Sequence, residues 1–325
     1  MRRGSWAEDM AALRREADDD VIRVRRLEQL GVPQRTSYRR CQQDGPWLWL
    51  LPGIIKLTSG PPTWRQLVVA ALLHAGDDAL ISGLAGLRLH RLRRVEEPPS
   101  IHVLVPWTHQ VRSHGFAVIE RTMRMPPRVE RDGLPVAHLV RCLTDAVRRM
   151  KDHDRISALM TDPVQRELLV VEQIHDELEA GCRRGTAAPR AVLGAVRLGV
   201  RSPAEFGAFE FWNSHDFPEA LWNVPLLAPG DRSLIAIPDA LVKGVGFAWE
   251  QDSVQEHFAT RSQVLATRRR RQRLFEHNVY VLSSRPNDLR DDPDGVRREI
   301  VKGLEIAAGM PEPTVLYGEP GRRSS

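Results

Sequence analysis

The first apolar segment of the chain, residues 21–58, has the spacing of two short helices followed by a hairpin. Gly31 separates the helices, and Pro33 suits the first turn of the second one. Pro52 and Gly53 predict a tight turn between two runs rich in apolar and aromatic residues. The predicted elements are helices at residues 24–30 and 33–42 and strands at residues 47–51 and 54–57. This order predicts a winged helix-turn-helix domain.

The rest of the chain mixes helical and strand-like spacing of apolar residues, which predicts a multidomain α/β protein. Ser202 is a suitable helix N-cap, with Pro203 and Glu205 in the first turn. Asp239 stands at the end of a predicted strand. The predicted helices cover residues 63–98, 139–150, 156–179, 202–215, 255–276 and 293–308, and the predicted strands cover residues 101–105, 117–121, 233–237, 246–252 and 279–282.

The composition narrows the class of protein. With 325 residues, of which 42% are hydrophobic, the chain can bury real cores. Its formal charge of +5 slightly favours a polyanionic partner. The three cysteines form no CxxC pair, so neither a zinc site nor a disulfide framework is predicted. Neither an export signal nor a membrane span is found, so we expect a cytoplasmic protein with no membrane partner.

The second helix of the predicted winged helix carries a polar, basic face. Tyr38 and Cys41 lie three residues apart and are predicted to face the core. The residues predicted to face solvent and to bind DNA are Gln34, Arg35, Ser37, Arg39 and Arg40. Their side chains carry hydrogen-bond donors that can reach the phosphates and guanine edges of DNA. The alternative is a surface helix whose polar face is simply solvated.

Three carboxylates are predicted to gather at adjacent strand ends, namely Asp239, Glu250 and Asp252. Glu250 and Asp252 share one face of their strand because side chains alternate along a strand. Such hard oxygen ligands suit Mg²⁺ or Mn²⁺, and Glu205 could supply another oxygen. The alternative is that Asp239 caps a turn, while Glu250 and Asp252 form the polar face of an edge strand.

The order of these features resembles the PD-(D/E)xK nuclease superfamily, and most closely its branch similar to very-short-patch-repair endonucleases. In that branch a Pro-Asp pair precedes a Glu-x-Asp strand by about eleven residues, and Asp239 and Glu250 fit this spacing. The resemblance implies a restriction-endonuclease-like fold with Glu205, Asp239, Glu250 and Asp252 as catalytic residues, the last three as metal ligands. His257 would be an accessory base.

The N-terminal part resembles the winged-helix domain of AbiEi-type antitoxins, the transcriptional autoregulators of type IV toxin-antitoxin systems. The features that carry this resemblance are Pro52-Gly53 and the Gly-Leu-Pro-Val segment at residues 133–136, with Arg141 and Asp145. In actinobacterial proteins of similar architecture both domains occur in one chain. The resemblance implies double-stranded DNA as a partner, and a cognate toxin or a second copy of the chain as a protein partner.

The predicted basic helix carries five arginines between residues 268 and 273. If the nuclease-like fold is correct, this run lies near the carboxylates, where Arg268, Arg270 and Arg271 would hold the DNA backbone without reading its sequence. Arg270 best matches the recurrent arginine of the family. The alternative is a solvated face whose arginine stems cover apolar surface.

The sequence also departs from both families. Residues 48–50 are Leu-Trp-Leu where the family's wing carries arginines, so groove binding would depend on the helix. No lysine occupies the third catalytic position, and Gln251, Thr267 and Ser283 replace residues usual in the family. Three functions therefore stay open. The first is a DNA-binding protein with or without metal-dependent phosphodiester hydrolysis, and the second is a non-catalytic antitoxin-like repressor without a cofactor. The third is a remnant regulator whose nuclease-like domain only stabilises the fold.

The predicted domain organisation follows from these assignments. It consists of an N-terminal extension (residues 1–20), a winged helix-turn-helix domain (21–75), a mixed α/β middle domain (76–195), a restriction-endonuclease-like domain (196–310) and a disordered tail (311–325).

Overall fold

The computed structural model describes residues 10–93, 95–252 and 261–318, with the backbone alone for residues 261–264. The chain divides into two compact units, Met1–Arg149 and Met150–Ser325. Both units combine helices with sheets, so the multidomain α/β class predicted from the sequence is confirmed. Every helix in the described ranges is too short or too polar to cross a membrane.

The N-terminal unit begins with the predicted winged helix. Its elements are α1 (Met10–Arg15), β1 (Val21–Arg23), α2 (Val24–Gln29), α3 (Gln34–Arg40), β2 (Leu48–Leu51) and β3 (Ile54–Lys56). The strands form an antiparallel sheet in the order β1-β3-β2, so β1 adds a third strand to the predicted hairpin. Leu13 of α1 is fully buried in the core of this domain. The segment predicted as an extension therefore contributes a helix to the domain.

A sharp turn between α2 and α3 produces the helix-turn-helix. Gly31 in this turn has a φ of +91°, a left-handed conformation that costs glycine little. The turn brings the N–H of Val32 to 2.9 Å from the carbonyl of Leu27 and buries Val32. Helix α3 meets the apolar core at its C-cap, Cys41, so most of its side chains stay at the surface.

The same unit continues into a five-stranded mixed sheet. Its elements are α4 (Trp64–Ala75), β4 (Leu80–Ser82), α5 (Gly83–Leu89), β5 (Ile101–Pro106), β6 (Ala117–Thr122), β7 (Arg128–Arg131), β8 (Leu134–Ala137) and α6 (Leu139–Val147). The strand order is β6-β5-β4-β8-β7. The prediction of continuous helix over residues 63–98 is wrong at β4. Gly76 ends α4, and the short apolar run that follows is buried as the central strand.

A buried carboxylate, Asp145 of α6, lies at the centre of an ion-pair network in this unit. It accepts hydrogen bonds from Ser82 Oγ at 2.7 Å and Arg141 Nε at 2.9 Å. Arg148 Nε lies 3.1 Å from its second oxygen. Asp145 and Arg141 are only 2% and 6% exposed. At such burial each charge depends on its partners, because an isolated buried charge is strongly destabilising.

Glu120 of β6 extends this network. Its carboxylate pairs with Arg148 and Arg149, and one of its oxygens lies 3.1 Å from His102 Nε2. Burial alone would raise the pKa of Glu120, but the hydrogen bond and charge of His102, the charge of Arg148 and the hydrogen bond from Arg149 lower it well below its usual range. The carboxylate is therefore ionised and ties β6 to the end of α6.

The C-terminal unit contains four helices followed by an α/β domain. The helices are α7 (His153–Gln165), α8 (Val171–Ala180), α9 (Ala187–Arg197) and α10 (Pro203–Asn213). The remaining elements are β9 (Leu221–Trp222), β10 (Leu226–Leu227), β11 (Leu234–Ala236), β12 (Ala240–Val242), β13 (Phe247–Gln251), α11 (Arg261–Glu276), β14 (Tyr280–Ser284), α12 (Asp288–Asp291), α13 (Pro293–Ala308) and β15 (Leu316–Tyr317). Where one helix was predicted over residues 156–179, the structure has both α7 and α8.

Two sheets organise this domain. The larger has the order β14-β13-β12-β9, with β12 antiparallel to both of its neighbours and β14 parallel to β13. Helix α11 makes the crossover between the two parallel strands, as parallel pairing requires. The smaller sheet has the order β11-β10-β15. Strand β15 lies within residues 311–325, predicted to be a disordered tail, so that prediction is wrong for Leu316–Tyr317.

The boundary between the two units falls between Arg149 and Met150, inside the predicted middle domain of residues 76–195. Helix α7 packs against α9 and α10, and α8 packs against α9. The helical half of the predicted middle domain therefore belongs to the C-terminal unit, and its sheet belongs to the N-terminal unit.

Candidate functional site

Helix α3 is rotated relative to the sequence prediction. Ser37, predicted to face DNA, is fully buried, and Tyr38, predicted to face the core, is 45% exposed. The inward pair is Ser37 and Cys41, which are four residues apart and therefore lie on one side of the helix. The prediction is confirmed for Cys41 and wrong for Tyr38, whose place on the inward side is taken by Ser37. Ser37 is thus removed from the set of candidate DNA contacts.

The outward face of α3 keeps the other predicted residues. Gln34, Arg35 and Arg39 are exposed. Arg40 is half-buried, with its guanidinium 4.9 Å from the ring centroid of Trp47. This cation–π contact holds Arg40 against the wing.

The wing is apolar, as its sequence indicates. Its only basic residue, Lys56, is 3% exposed and donates to the carbonyls of Gly60 at 2.5 Å and Pro61 at 3.2 Å. Trp47 is buried, while Trp49 is half-buried and stacks on Tyr38. The wing therefore offers no basic side chain to a phosphate, and the exposed cations of this domain's candidate interface lie on α3.

In the C-terminal unit, the structure places Asp239 opposite Glu250. Ala240 of β12 pairs with Trp249 of β13, and the next step of this antiparallel register brings Asp239 beside Glu250 on the same face. The N–H of Gln251 donates to the Asp239 carboxylate at 2.6 Å. Asp239 was predicted to end the strand over residues 233–237. It instead precedes β12, a three-residue strand too short to be recognised by alternation, while β11 belongs to the smaller sheet.

Glu205 is held near this pair by a residue that sequence reasoning missed. Ser202 caps α10 by accepting the N–H of Glu205 at 3.2 Å. Glu205 Oε2 then accepts the Nδ2–H of Asn223 at 2.5 Å and the N–H of Arg201 at 2.8 Å. Asn223 also donates its backbone N–H to the carbonyl of Asp239 at 3.0 Å. The position has a φ of +52°, which asparagine tolerates better than most residues, but nothing in the local sequence indicates this role.

The surroundings of Asp239 favour its neutral form. Burial raises the pKa of Asp239 to about 7, and the nearby Glu205 and Glu250 carboxylates act in the same direction. The hydrogen bond from Gln251 and the charge of Arg270 lower the pKa but only partly compensate. Asp239 therefore titrates near neutral pH, as functional carboxyl groups often do.

The arginine run of α11 is divided between two environments. Arg270 Nη2 lies 2.9 Å from Glu250 Oε2, and Arg271 Nη2 donates to Ser283 Oγ at 2.5 Å. Arg271 also lies 3.9 Å from Asp252, whose side chain is 43% exposed. The run's exposed members are Arg268, Arg269 and Arg273. Of the arginines predicted to hold DNA, Arg268 is at the surface, whereas Arg270 and Arg271 neutralise the carboxylates.

The two carboxylate oxygens of Glu250 have different surroundings. The residue is 6% exposed, and its Oε1 is buried with no hydrogen-bond partner among the described residues, while Oε2 faces Arg270. In the described ranges, no three His, Cys, Asp or Glu side chains are placed to hold a metal ion together. The predicted accessory base His257 lies outside the described residues. The structure thus brings Asp239, Glu250 and Glu205 near one another, with Asp252 at the edge of the site.

Comparisons with known proteins show similarity to solved structures at a distant level. No protein-family model matches the chain, and no curated protein matches it. Among solved structures, the RV2827C protein from Mycobacterium tuberculosis is similar to this chain, with a TM-score of 0.43 and 13% sequence identity over 68% of this chain and 89% of that chain. A similarity at this level carries no argument about function.

Proposed function

We propose that the protein binds double-stranded DNA through helix α3 of its N-terminal winged helix. The observation that carries this proposal is the exposed face of α3, where Gln34, Arg35 and Arg39 extend from a helix that follows a tight turn. Arginine and glutamine can make paired hydrogen bonds to guanine and adenine in the major groove. The same arginines can pair with phosphates, which supplies affinity independent of sequence.

Substitution of the exposed arginines tests DNA binding. We expect Arg35→Ala and Arg39→Ala each to weaken duplex binding, with the double variant at least about tenfold weaker than wild type. If each contacts a phosphate, each loss should reduce the slope of log affinity against log salt by about 0.9. Fluorescence anisotropy over a salt series measures both quantities.

The matched control is Arg128→Ala on β7, an exposed arginine paired with Glu130 outside the winged helix. It should bind DNA as wild type does. Equal binding by wild type and all four variants would contradict the proposed role of α3.

A second proposed function is hydrolysis of a DNA phosphodiester at the carboxylate site. It is favoured by the opposed Asp239 and Glu250 and by the buried Oε1 of Glu250, which no residue in the described ranges hydrogen-bonds. Carboxylate oxygens of this kind fit Mg²⁺ or Mn²⁺ in donor type. Asp239 and Glu250 would hold the ion, while Glu205, whose Oε2 accepts hydrogen bonds from Asn223 and Arg201, would lie beside them and Asp252 at the edge of the site. When bound, such an ion lowers the pKa of water and neutralises charge at a phosphate.

The residues around the carboxylates have separate roles in this proposal. Asn223 keeps Glu205 directed by its hydrogen bond. Arg270 balances the charge of Glu250, and its side chain is 42% exposed and therefore open to a phosphate. Because arginine stays protonated near neutral pH, it stabilises charge and takes up no proton.

Cleavage is tested by incubating supercoiled plasmid with the protein and Mg²⁺ or Mn²⁺. We expect wild type to nick the plasmid, and Asp239→Asn and Glu250→Gln to lower the rate at least about 100-fold with DNA binding intact. Glu276→Gln is the matched control, because Glu276 is exposed and hydrogen-bonds to Gln272 on the outer part of α11. Nicking that persists at the wild-type rate in both carboxylate variants would contradict a catalytic role of Asp239 and Glu250.

DNA binding without cleavage by any of these proteins would instead support the non-catalytic, antitoxin-like repressor. The observation that favours this function is the neutralisation of Glu250 by Arg270 in the absence of lysine at the third catalytic position. Its protein partner would be a cognate toxin or a second copy of the chain. A nucleotidyltransferase-like toxin gene directly downstream would support the toxin.

A further inference from the structure

Helix α3 exposes an aromatic ring in the middle of its outward face. Tyr38 is 45% exposed although its sequence spacing favours the core. Its ring lies 5.1 Å from that of Trp49 on β2, centroid to centroid, with an angle of 27° between the ring planes. This offset stack fixes the tyrosine between the helix and the wing.

The neighbours of Tyr38 define the surface that this ring occupies. Arg35 is three residues before Tyr38, so the two side chains share one face of α3. Arg39 is the next residue of the helix, and Gln42 follows the C-cap Cys41. All four are exposed. An aromatic side chain among long cationic and amide donors is suited to a surface that combines negative charge, hydrogen-bonding edges and a small apolar group.

The major groove of DNA is such a surface. Its base edges carry donors and acceptors, and its apolar group is the 5-methyl of thymine. Ordering a side chain on binding costs entropy, and a ring already held by Trp49 pays less of that cost than a mobile one. A fixed ring half open to solvent can therefore cover a methyl group efficiently.

We propose that Tyr38 recognises thymine through its 5-methyl group and so determines part of the sequence preference of the winged helix. This inference rests on the proposed DNA binding by α3. The contact is made by the ring, so the phenolic hydroxyl is not required. Preferred sites combine guanine, read by arginine, with an adjacent thymine.

The test compares thymine with deoxyuridine, which lacks only the methyl group. Duplexes that bind the full chain are selected from a random-sequence pool, and their affinities are measured before and after single thymine-to-deoxyuridine replacements. We expect wild type to lose about fourfold affinity at one or more positions, the factor that corresponds to burial of one methyl group at roughly 0.8 kcal/mol. Tyr38→Phe should keep this discrimination, and Tyr38→Ala should bind thymine and deoxyuridine duplexes equally.

Several results would overturn the inference. Equal affinity of wild type for thymine and deoxyuridine duplexes would exclude a methyl contact, and loss of discrimination in Tyr38→Phe would show a hydroxyl contact to phosphate or base instead. Discrimination that survives in Tyr38→Ala would assign it to another residue. Thermal unfolding of each variant shows whether the domain is intact, and Tyr38→Phe keeps the stacked ring if the alanine variant unfolds.

Failure of the proposed function is distinguishable from failure of this inference. If Arg35→Ala and Arg39→Ala leave binding unchanged, α3 does not bind DNA and both proposals fall. If those variants weaken binding but deoxyuridine replacement has no effect, DNA binding by α3 stands and only the role of Tyr38 is wrong.

Discussion

At pH 8 the Asp239→Asn variant is expected to be more stable than wild type, by about 2–4 kcal/mol in the free energy of unfolding of the C-terminal unit. Burial raises the pKa of Asp239 from 3.8 to about 7 in the folded protein. The folded state therefore has to ionise a buried carboxyl group that ionises easily when the chain is unfolded. Asparagine remains neutral and still offers an acceptor to the N–H of Gln251.

The stability difference between wild type and Asp239→Asn is expected to depend on pH. A raised folded-state pKa stabilises the protein fully below the unfolded-state pKa, and this stabilisation is lost as the pH rises to the folded-state value. The stability of wild type relative to Asp239→Asn should therefore fall between about pH 4 and pH 7 and then level off. Urea unfolding of both proteins at several pH values measures this difference. A difference that does not change with pH would contradict the assigned titration of Asp239.

The Asp239→Asn variant also tests whether Asp239 and Glu250 bind a divalent cation or are only a buried carboxylate pair. A divalent cation that binds Asp239 and Glu250 favours their ionised forms, so Mg²⁺ or Mn²⁺ should stabilise wild type at pH 8. The same cations should stabilise Asp239→Asn much less than wild type. Equal stabilisation of both proteins would place the cation elsewhere, independently of any cleavage assay.

The second large effect is expected at Asp145 in the N-terminal unit. Asp145→Ala should lower the free energy of unfolding by about 3–5 kcal/mol, because the buried Arg141 loses its nearest carboxylate and Ser82 loses its acceptor. Arg148 also loses one of its two carboxylate partners. The measurement is urea unfolding followed by a signal from the N-terminal unit.

The control for this variant is Glu130→Ala, which removes an ion pair whose two side chains are both more than half exposed. Exposed pairs of this kind contribute about 0–1 kcal/mol, so its effect should be small. A loss of less than about 1 kcal/mol in Asp145→Ala would mean that the Asp145 network contributes little to stability.

Local sequence patterns predicted much of the secondary structure because their causes lie within a few residues. Gly31 and Pro33 separate two helices, Pro52 and Gly53 join two strands, and Ser202 begins a helix. Glycine, proline and capping residues act on the backbone next to them. The sequence predictions were wrong where the element was too short to give a clear pattern of apolar residues. Strands β4 and β12 have only three residues each, and α3 has seven, too few to fix which side faces inward.

The candidate carboxylate site depended on pairing between distant segments. The sequence by itself singled out Asp239, Glu250 and Glu205 as carboxylates of interest, but only the register of β12 with β13 brings the first two together. Only the hydrogen bonds of Asn223 attach Glu205 to them, and only the packing of α11 turns Arg270 and Arg271 inward. Strand register and helix rotation are set by long-range burial, which a local pattern does not contain.

The N-terminal unit shows the same division. Its sequence determined a helix-turn-helix followed by an apolar wing, and a basic helix face suited to DNA. The tertiary structure decided that Ser37 is buried and Tyr38 exposed, because α3 packs against α2 and Trp49 supports the tyrosine ring. It also gathered Ser82, Glu120, Arg141 and Asp145 into one buried network, since charges far apart in sequence can meet only after the strands and helices that carry them have packed.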